Sequence, residues 1–168
     1  MWITINDFAY ALYFIFPAYC ANAAPVIFGG GLPLDADRAF FDGKPIFGSH
    51  KTVRGFLAGL IVGTLVGFSQ QFLLPGQQSV LLGFTLSLGG LVGDLIDSFI
   101  KRRLGLHPGS PVPLADQLDF VFGALLFSSA IGRLPPPAWV LIILIVTPPI
   151  HLLTNYLAYL LGAKKKAP

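Results

Sequence analysis

Apolar residues in this chain come in long, nearly unbroken runs rather than at helical or alternating intervals. Five runs, at 8–24, 55–74, 80–100, 117–131 and 138–161, approach the roughly 20 residues that a helix needs to cross a hydrocarbon core. The pattern predicts an all-α integral membrane protein with five transmembrane helices, one membrane domain over residues 1–168, and long loops at 25–54 and 101–116. The fourth run is short, and the fifth holds Pro148-Pro149, where two missing backbone donors predict a kink. Ala21-Asn22-Ala23 imitates a signal-peptide cleavage site. Residues 1–7 carry only Asp7 and no basic stretch, so the first run reads as a span.

Composition agrees. Hydrophobic residues make up 54% of the 168 residues and charged ones 11%, against roughly 25% charged in soluble domains. Mean hydropathy is +0.72. A chain with so few charges cannot cover its own surface in water. The net charge of +3 does not point to nucleic acid, because no basic segment is long enough to follow a phosphate backbone. The single cysteine, Cys20, permits no intramolecular disulfide.

Charge also fixes the expected orientation. Arg38, Lys44, Lys51 and Arg54 lie in the first loop, Lys101, Arg102 and Arg103 in the second, and Lys164, Lys165 and Lys166 in the tail, all on one side of a five-span chain. Only Arg133 falls on the other side. The positive-inside rule then puts the N-terminus outside and the C-terminus in the cytoplasm of a cell-membrane protein. Seven of the eight aspartates share the cytoplasmic side, although acidic residues contribute little to orientation. A site holding anions and cations together accounts for them.

The end of the third run carries the densest chemistry. At 100° per residue, Asp94, Asp97, Ser98, Lys101 and Arg102 fall within an arc of about 140°. Ionisable groups inside a span are costly and usually face a cavity or a partner. Asp97 and Lys101, four apart, form an expected ion pair, and Asp94, about a turn deeper, is left underpaired unless a cation joins it. Asp116 and Asp119 open the fourth run. Taken alone they read better as an N-cap and a first-turn acid that complements the helix dipole. Both pairs reach the same membrane surface, and a few carboxylates beside cations suit Mg²⁺ with substrate phosphates. The first loop adds glycines near Lys, Ser and Thr, including Gly48-Ser49-His50-Lys51-Thr52-Val53-Arg54-Gly55, a weak phosphate-loop signal that is not a Walker A sequence.

Gly93-Asp94-Leu95, Ser98, Lys101-Arg102 and Asp116-x-x-Asp119 resemble the signature of CTP-dependent phosphatidate cytidylyltransferases. The short length, five spans and long first loop resemble more closely the archaeal branch, the CDP-archaeol synthases. Two departures from the bacterial pattern are His107-Pro108-Gly109-Ser110 before the paired aspartates and Gln117 inside them; they put a role for His107 in doubt. The resemblance implies transfer of CMP from CTP to a di-geranylgeranylglyceryl phosphate, releasing pyrophosphate in phospholipid biosynthesis. It implies Mg²⁺ on Asp94, Asp97, Asp116 and Asp119, with Asp94 and Asp116 foremost, and Lys101 beside them in catalysis. Ser98, Lys101, Arg102, Lys44, Lys51, Thr52 and Arg54 would hold phosphates. The competing readings are a CDP-alcohol phosphotransferase, whose clustered aspartate run is absent, and a small ion-coupled transporter, for which no internal repeat is seen. Gly55, Gly59, Gly63 and Gly67, four residues apart, offer a packing face for another helix of the chain or for a homodimer.

Overall fold

The computed structural model describes residues 3–108 and 110–162. Lys164, Lys165 and Lys166, part of the orientation argument, lie outside them. Five helices follow in order: α1 Ile5–Phe28, α2 Val53–Leu73, α3 Val80–Arg103, α4 Ala115–Ala130 and α5 Pro137–Leu160. Among the described residues there is no strand, only isolated bridges such as Pro33 with Thr52. Four helices are long and apolar enough to cross a membrane. α4, with 16 residues, covers about 24 Å at 1.5 Å per residue, short of the roughly 30 Å core.

The chain ends its helices where local chemistry dictates. Thr4 accepts from the Asp7 amide while Asp7 returns a bond to Thr4, a full capping box. Thr52 caps α2 and Ser79 caps α3 through their hydroxyls. α5 begins on Pro137, whose missing donor costs nothing at that position. Pro25 does not end α1 as the 25–54 loop boundary supposes; the helix runs on to Phe28, and the connector is 29–52. Likewise α3 extends to Arg103, so the second connector is 104–114.

Pro17 lies inside α1 and leaves the Tyr13 carbonyl without its usual donor. Two glutamines from other elements cover the gap: Gln70 Nε2 donates to it at 2.8 Å and Gln78 Nε2 at 3.5 Å. Gln78 also reaches the Phe14 carbonyl at 2.9 Å, and the Tyr13 hydroxyl donates to the Gln70 carbonyl. This polar knot ties α1 to α2 and to the α2–α3 turn.

The core joins Phe14 and Ile15 of α1, Leu82 and Leu86 of α3, Phe120 and Val121 of α4, and Ile142 and Ile143 of α5. α2 buries mainly its glycine stripe. A Cβ on Gly67 would stand 2.5 Å from the Gly83 Cα, so the two backbones touch directly. The stripe is therefore used inside the chain. The opposite face of α2 exposes Leu57, Ile61, Leu65, Phe68 and Phe72, which suits lipid rather than water.

Contacts sort the molecule into two ends. Tyr13 meets Gln70, Arg133 meets the Gly76 carbonyl and Trp139 meets Asp7 at one end. Gly29 meets Arg54, Lys51 meets Asp94 and Lys101 meets Asp116 at the other.

Candidate active site

Close helix packing builds the charged end. A Cβ on Gly93 would lie 3.2 Å from the Gly123 Cα and would collide with the Asp119 carbonyl. The bare glycines let α3 and α4 approach at that height, which sets Asp94, beside Gly93, against the first turns of α4. Asp119 stands within electrostatic reach of Asp94, Asp97 and Lys51. The two aspartate pairs, separate in sequence, form one cluster.

Lysines neutralise most of it. Lys51 Nζ reaches both oxygens of Asp94, at 2.6 and 2.5 Å. Asp94 therefore does not remain underpaired, as helix geometry alone suggests, because the first loop delivers a cation to it. Lys101 pairs with Asp97 at 2.5 Å, the expected i, i+4 contact, and also with Asp116 across the second connector. Asp116 is not an N-cap: that position is Leu114, at φ +66°, and the Asp116 carboxylate also accepts from the Val112 amide at 3.1 Å. Asp119 has no ion pair among the described residues, and its carboxylate accepts from the Phe120 amide at 2.5 Å.

Arg102 differs from the lysines. It is only 5% exposed, yet no carboxylate pairs with it among the described residues. Its Nε makes a long 3.4 Å contact with the Ser98 carbonyl, and its Nη1 has no partner. A buried cation without an anion is strongly disfavoured.

A strap holds the first loop over these groups. The Arg103 guanidinium lies 4.6 Å from the Phe99 ring centre and 5.1 Å from that of Phe40, pairs with Asp42 at 2.9 Å and donates to the Pro45 carbonyl. Lys44 Nζ returns a bond to the Arg103 carbonyl at 2.8 Å, at the C-terminal end of α3. Inside the loop Asp35 is buried and accepts from the amides of Phe47, Gly48 and Asp37 at 2.8, 3.0 and 3.1 Å. Burial alone would raise its pKa; those amide bonds outweigh it and hold the carboxyl below its ordinary value.

Of the expected phosphate ligands, Lys51 and Lys101 touch the cluster's carboxylates, Ser98 and Arg102 lie on the same helix α3 as Asp94 and Asp97, and Thr52 follows Lys51. The Thr52 hydroxyl accepts from the amides of Gly55 and Gly30. Lys44 and Arg54 are engaged elsewhere: Arg54 donates to the Phe28 and Gly29 carbonyls at the end of α1. Sequence reasoning missed Arg103, Asp35 and Phe40. His151 stacks on Phe120, one residue after Asp119.

A family model described as CarS-like, CDP-archaeol synthase, matches residues 4–167. The chain belongs to that family. It is 52% identical over 153 residues to the CDP-archaeol synthase of Pyrococcus furiosus, covering 89% of this chain and 91% of the relative. The CDP-archaeol synthase of Pyrococcus horikoshii is 47% identical, covering 96% and 97%, and that of Methanocaldococcus jannaschii 44%, covering 92% and 93%. A solved structure described as an intramembrane enzyme for archaeal membrane lipid biosynthesis superposes with a TM-score of 0.81 at 37% identity, covering 86% of this chain and 92% of the other. The family expected from the aspartate and lysine motifs is thus the right one, and its members are enzymes of the cytidylyltransferase class. The phosphotransferase and transporter readings fall with it.

Proposed function

We propose that this chain transfers CMP from CTP to the phosphate of a di-geranylgeranylglyceryl phosphate, forming CDP-archaeol, at the charged end of the bundle and with Mg²⁺. A lipid phosphate oxygen attacks the α-phosphorus of CTP. The new P–O bond forms as the α–β phosphoanhydride bond breaks, and pyrophosphate leaves with that electron pair. No protein nucleophile is required, because the lipid phosphate is already an anion. Such transfers depend on positioning and charge neutralisation.

The observation that carries this reading is the unpaired, buried Arg102 beside a carboxylate cluster. One group awaits an anion, while the aspartates suit a cation. Among the described residues no three His, Cys, Asp or Glu side chains form a ready metal cage. Mg²⁺ needs only one or two carboxylates when substrate phosphates supply the remaining oxygens. Asp94 and Asp97 both act on Asp119 as like charges, and that donor set fits a divalent ion arriving with a nucleotide. Asp94 and Asp116, with Asp97 and Asp119 beside them, would hold it; bound, it would draw charge from the phosphates and the departing pyrophosphate. Arg102 and Lys101 receive phosphate oxygens, and Lys51 approaches them from the loop. The exposed apolar face of α2 leaves room for prenyl chains along Leu57 and Ile61.

In this reading α4 completes a fifth crossing with help from its flanking residues, the N-terminus lies outside, and the charged end faces the cytoplasm, where CTP is found. Purified protein given Mg²⁺, labelled CTP and the prenylated glycerol phosphate should release pyrophosphate and form CDP-lipid, and Asp94→Asn should not. Product formed equally by both proteins would overturn the assignment of this site.

A further inference from the structure

We propose, on the reading of a metal and nucleotide site given above, that Lys51 is an exchangeable counter-ion. It neutralises Asp94 while the site is empty and moves to a nucleotide phosphate when CTP arrives, so a divalent cation gains Asp94 together with the nucleotide and not before it.

The geometry separates Lys51 from the other cations. Its ammonium grips both oxygens of Asp94 within 2.6 Å. A divalent ion seeking Asp94 meets a neutral pair and must displace that ammonium. The two side chains are 27% and 26% exposed, so a displaced ammonium left without an anion would carry a desolvation cost. A triphosphate removes the cost by taking the ammonium itself.

The backbone of Lys51 is fixed while its side chain is not. Its amide donates to the Gly48 carbonyl at 3.1 Å, and its carbonyl accepts from the Leu34 amide at 2.7 Å. The next residue, Thr52, caps α2. What remains free is a four-carbon stem ending in three rotatable donors, a group suited to changing partners. Lys101 contrasts with it. That residue is only 8% exposed, sits on α3 itself, and holds Asp97 and Asp116 at once. Arg102 has no carboxylate to leave among the described residues.

An exchange of this kind makes metal and nucleotide binding mutually dependent. By linkage, whatever factor CTP adds to metal affinity the metal adds to CTP affinity. It also keeps a bare divalent ion from occupying the cluster in a form that the nucleotide must rearrange.

The test reads binding, not turnover. Mn²⁺ is titrated into detergent-solubilised, nucleotide-free protein and free Mn²⁺ is followed by electron paramagnetic resonance. Lys51→Met should bind Mn²⁺ about ten-fold more tightly than the unaltered chain. Lys51→Arg, which keeps a cation on Asp94, should match the unaltered chain. Adding Asp94→Asn to Lys51→Met should abolish the gain. In EDTA, Lys51→Met should bind CTP about ten-fold more weakly. Equal or weaker Mn²⁺ affinity in Lys51→Met overturns the counter-ion role, and if that protein also forms CDP-lipid with Mg²⁺ the proposed function stands. Absence of any Mn²⁺ binding, in a chain whose turnover is indifferent to Mg²⁺, overturns both.

Discussion

Carboxylates at the two ends of the bundle are held in opposite ways. Asp7 accepts from the Thr4 amide at 2.8 Å, the Thr4 hydroxyl at 2.7 Å and the Trp139 indole at 3.0 Å. Tyr10 stacks on that indole with ring centres 5.7 Å apart. Every one of these donors is neutral and fixed by a helix start, so Asp7 is a clasp between α1 and α5. At the other end Asp94, Asp97 and Asp116 rest on lysine ammonium groups. Asp119 has an amide bond and like-charged neighbours. Neutral donors cannot be exchanged for a substrate's cation, whereas an ammonium on a flexible stem can. The comparison teaches which carboxylates belong to the architecture and which are available for chemistry.

The sharpest way to break it is to neutralise one member of each class. Asp116→Asn should lower kcat by about 10²–10³, the loss usual when a group acting on developing charge is removed. Asp7→Asn should leave turnover unchanged and lower the melting temperature. Steady-state kinetics with labelled CTP and a thermal melt in the same detergent decide it. An Asp7 variant that loses activity would erase the distinction.

Lys101 and Arg102 extend the comparison to cations, with opposite signs. Lys101→Met strands Asp97 and Asp116 in a half-buried space and should cost about 3–5 kcal/mol, as breaking one side of a buried pair does. Arg102→Met removes a buried charge that no carboxylate balances. Its melting temperature without CTP should hold or rise, while KM for CTP rises about 10–100-fold, matching the loss of a charge-assisted hydrogen bond. Thermal melts and CTP titrations on both variants check the pair. An Arg102→Met protein as destabilised as Lys101→Met would mean that Arg102 is a structural ion.

How much of this was legible in the sequence depends on the range of the interaction. Four helices follow from apolar runs long enough to cross hydrocarbon, α4 is shorter than that, and all five have ends within a few residues of expectation. The Asp97–Lys101 pair follows from helix geometry alone. Gathering of the two aspartate pairs at one end follows from span counting. Lys51 on Asp94 does not, since it needs the path of a 24-residue connector that only tertiary contacts fix. The resemblance implies phosphate roles for Lys44 and Arg54, and in the structure both donate to carbonyls at the ends of α3 and α1. Pro25 looked like a boundary, yet α1 continues through it. Arg103 counted only toward orientation, and the aromatic pair that makes it a strap, Phe40 and Phe99, is 59 residues apart in sequence.

The smallest expected effect concerns Asp35, which resembles Asp7 in being held by neutral donors but sits at the charged end. Its burial raises the cost of ionisation, and the amides of Gly48, Phe47 and Asp37 more than offset it, so its folded pKa lies below the unfolded value. A depressed carboxylate contributes stability that is fully present above the unfolded pKa, about 3.9. That contribution is lost as pH falls toward and through the folded value. The loop should therefore be indifferent to pH from 5 to 8 and loosen only in acid. Hydrogen exchange at the Phe47 and Gly48 amides, corrected for intrinsic rates, should show protection constant above pH 5 and falling below about pH 4. Asp35→Asn should flatten that fall and leave exchange in the core of α1 untouched. If Asp35→Asn leaves the acid fall at these amides unchanged instead, the loop is held by the carboxylates of the lysine and arginine pairs and not by Asp35. The two carboxylate classes would then no longer divide by the charge of their donors.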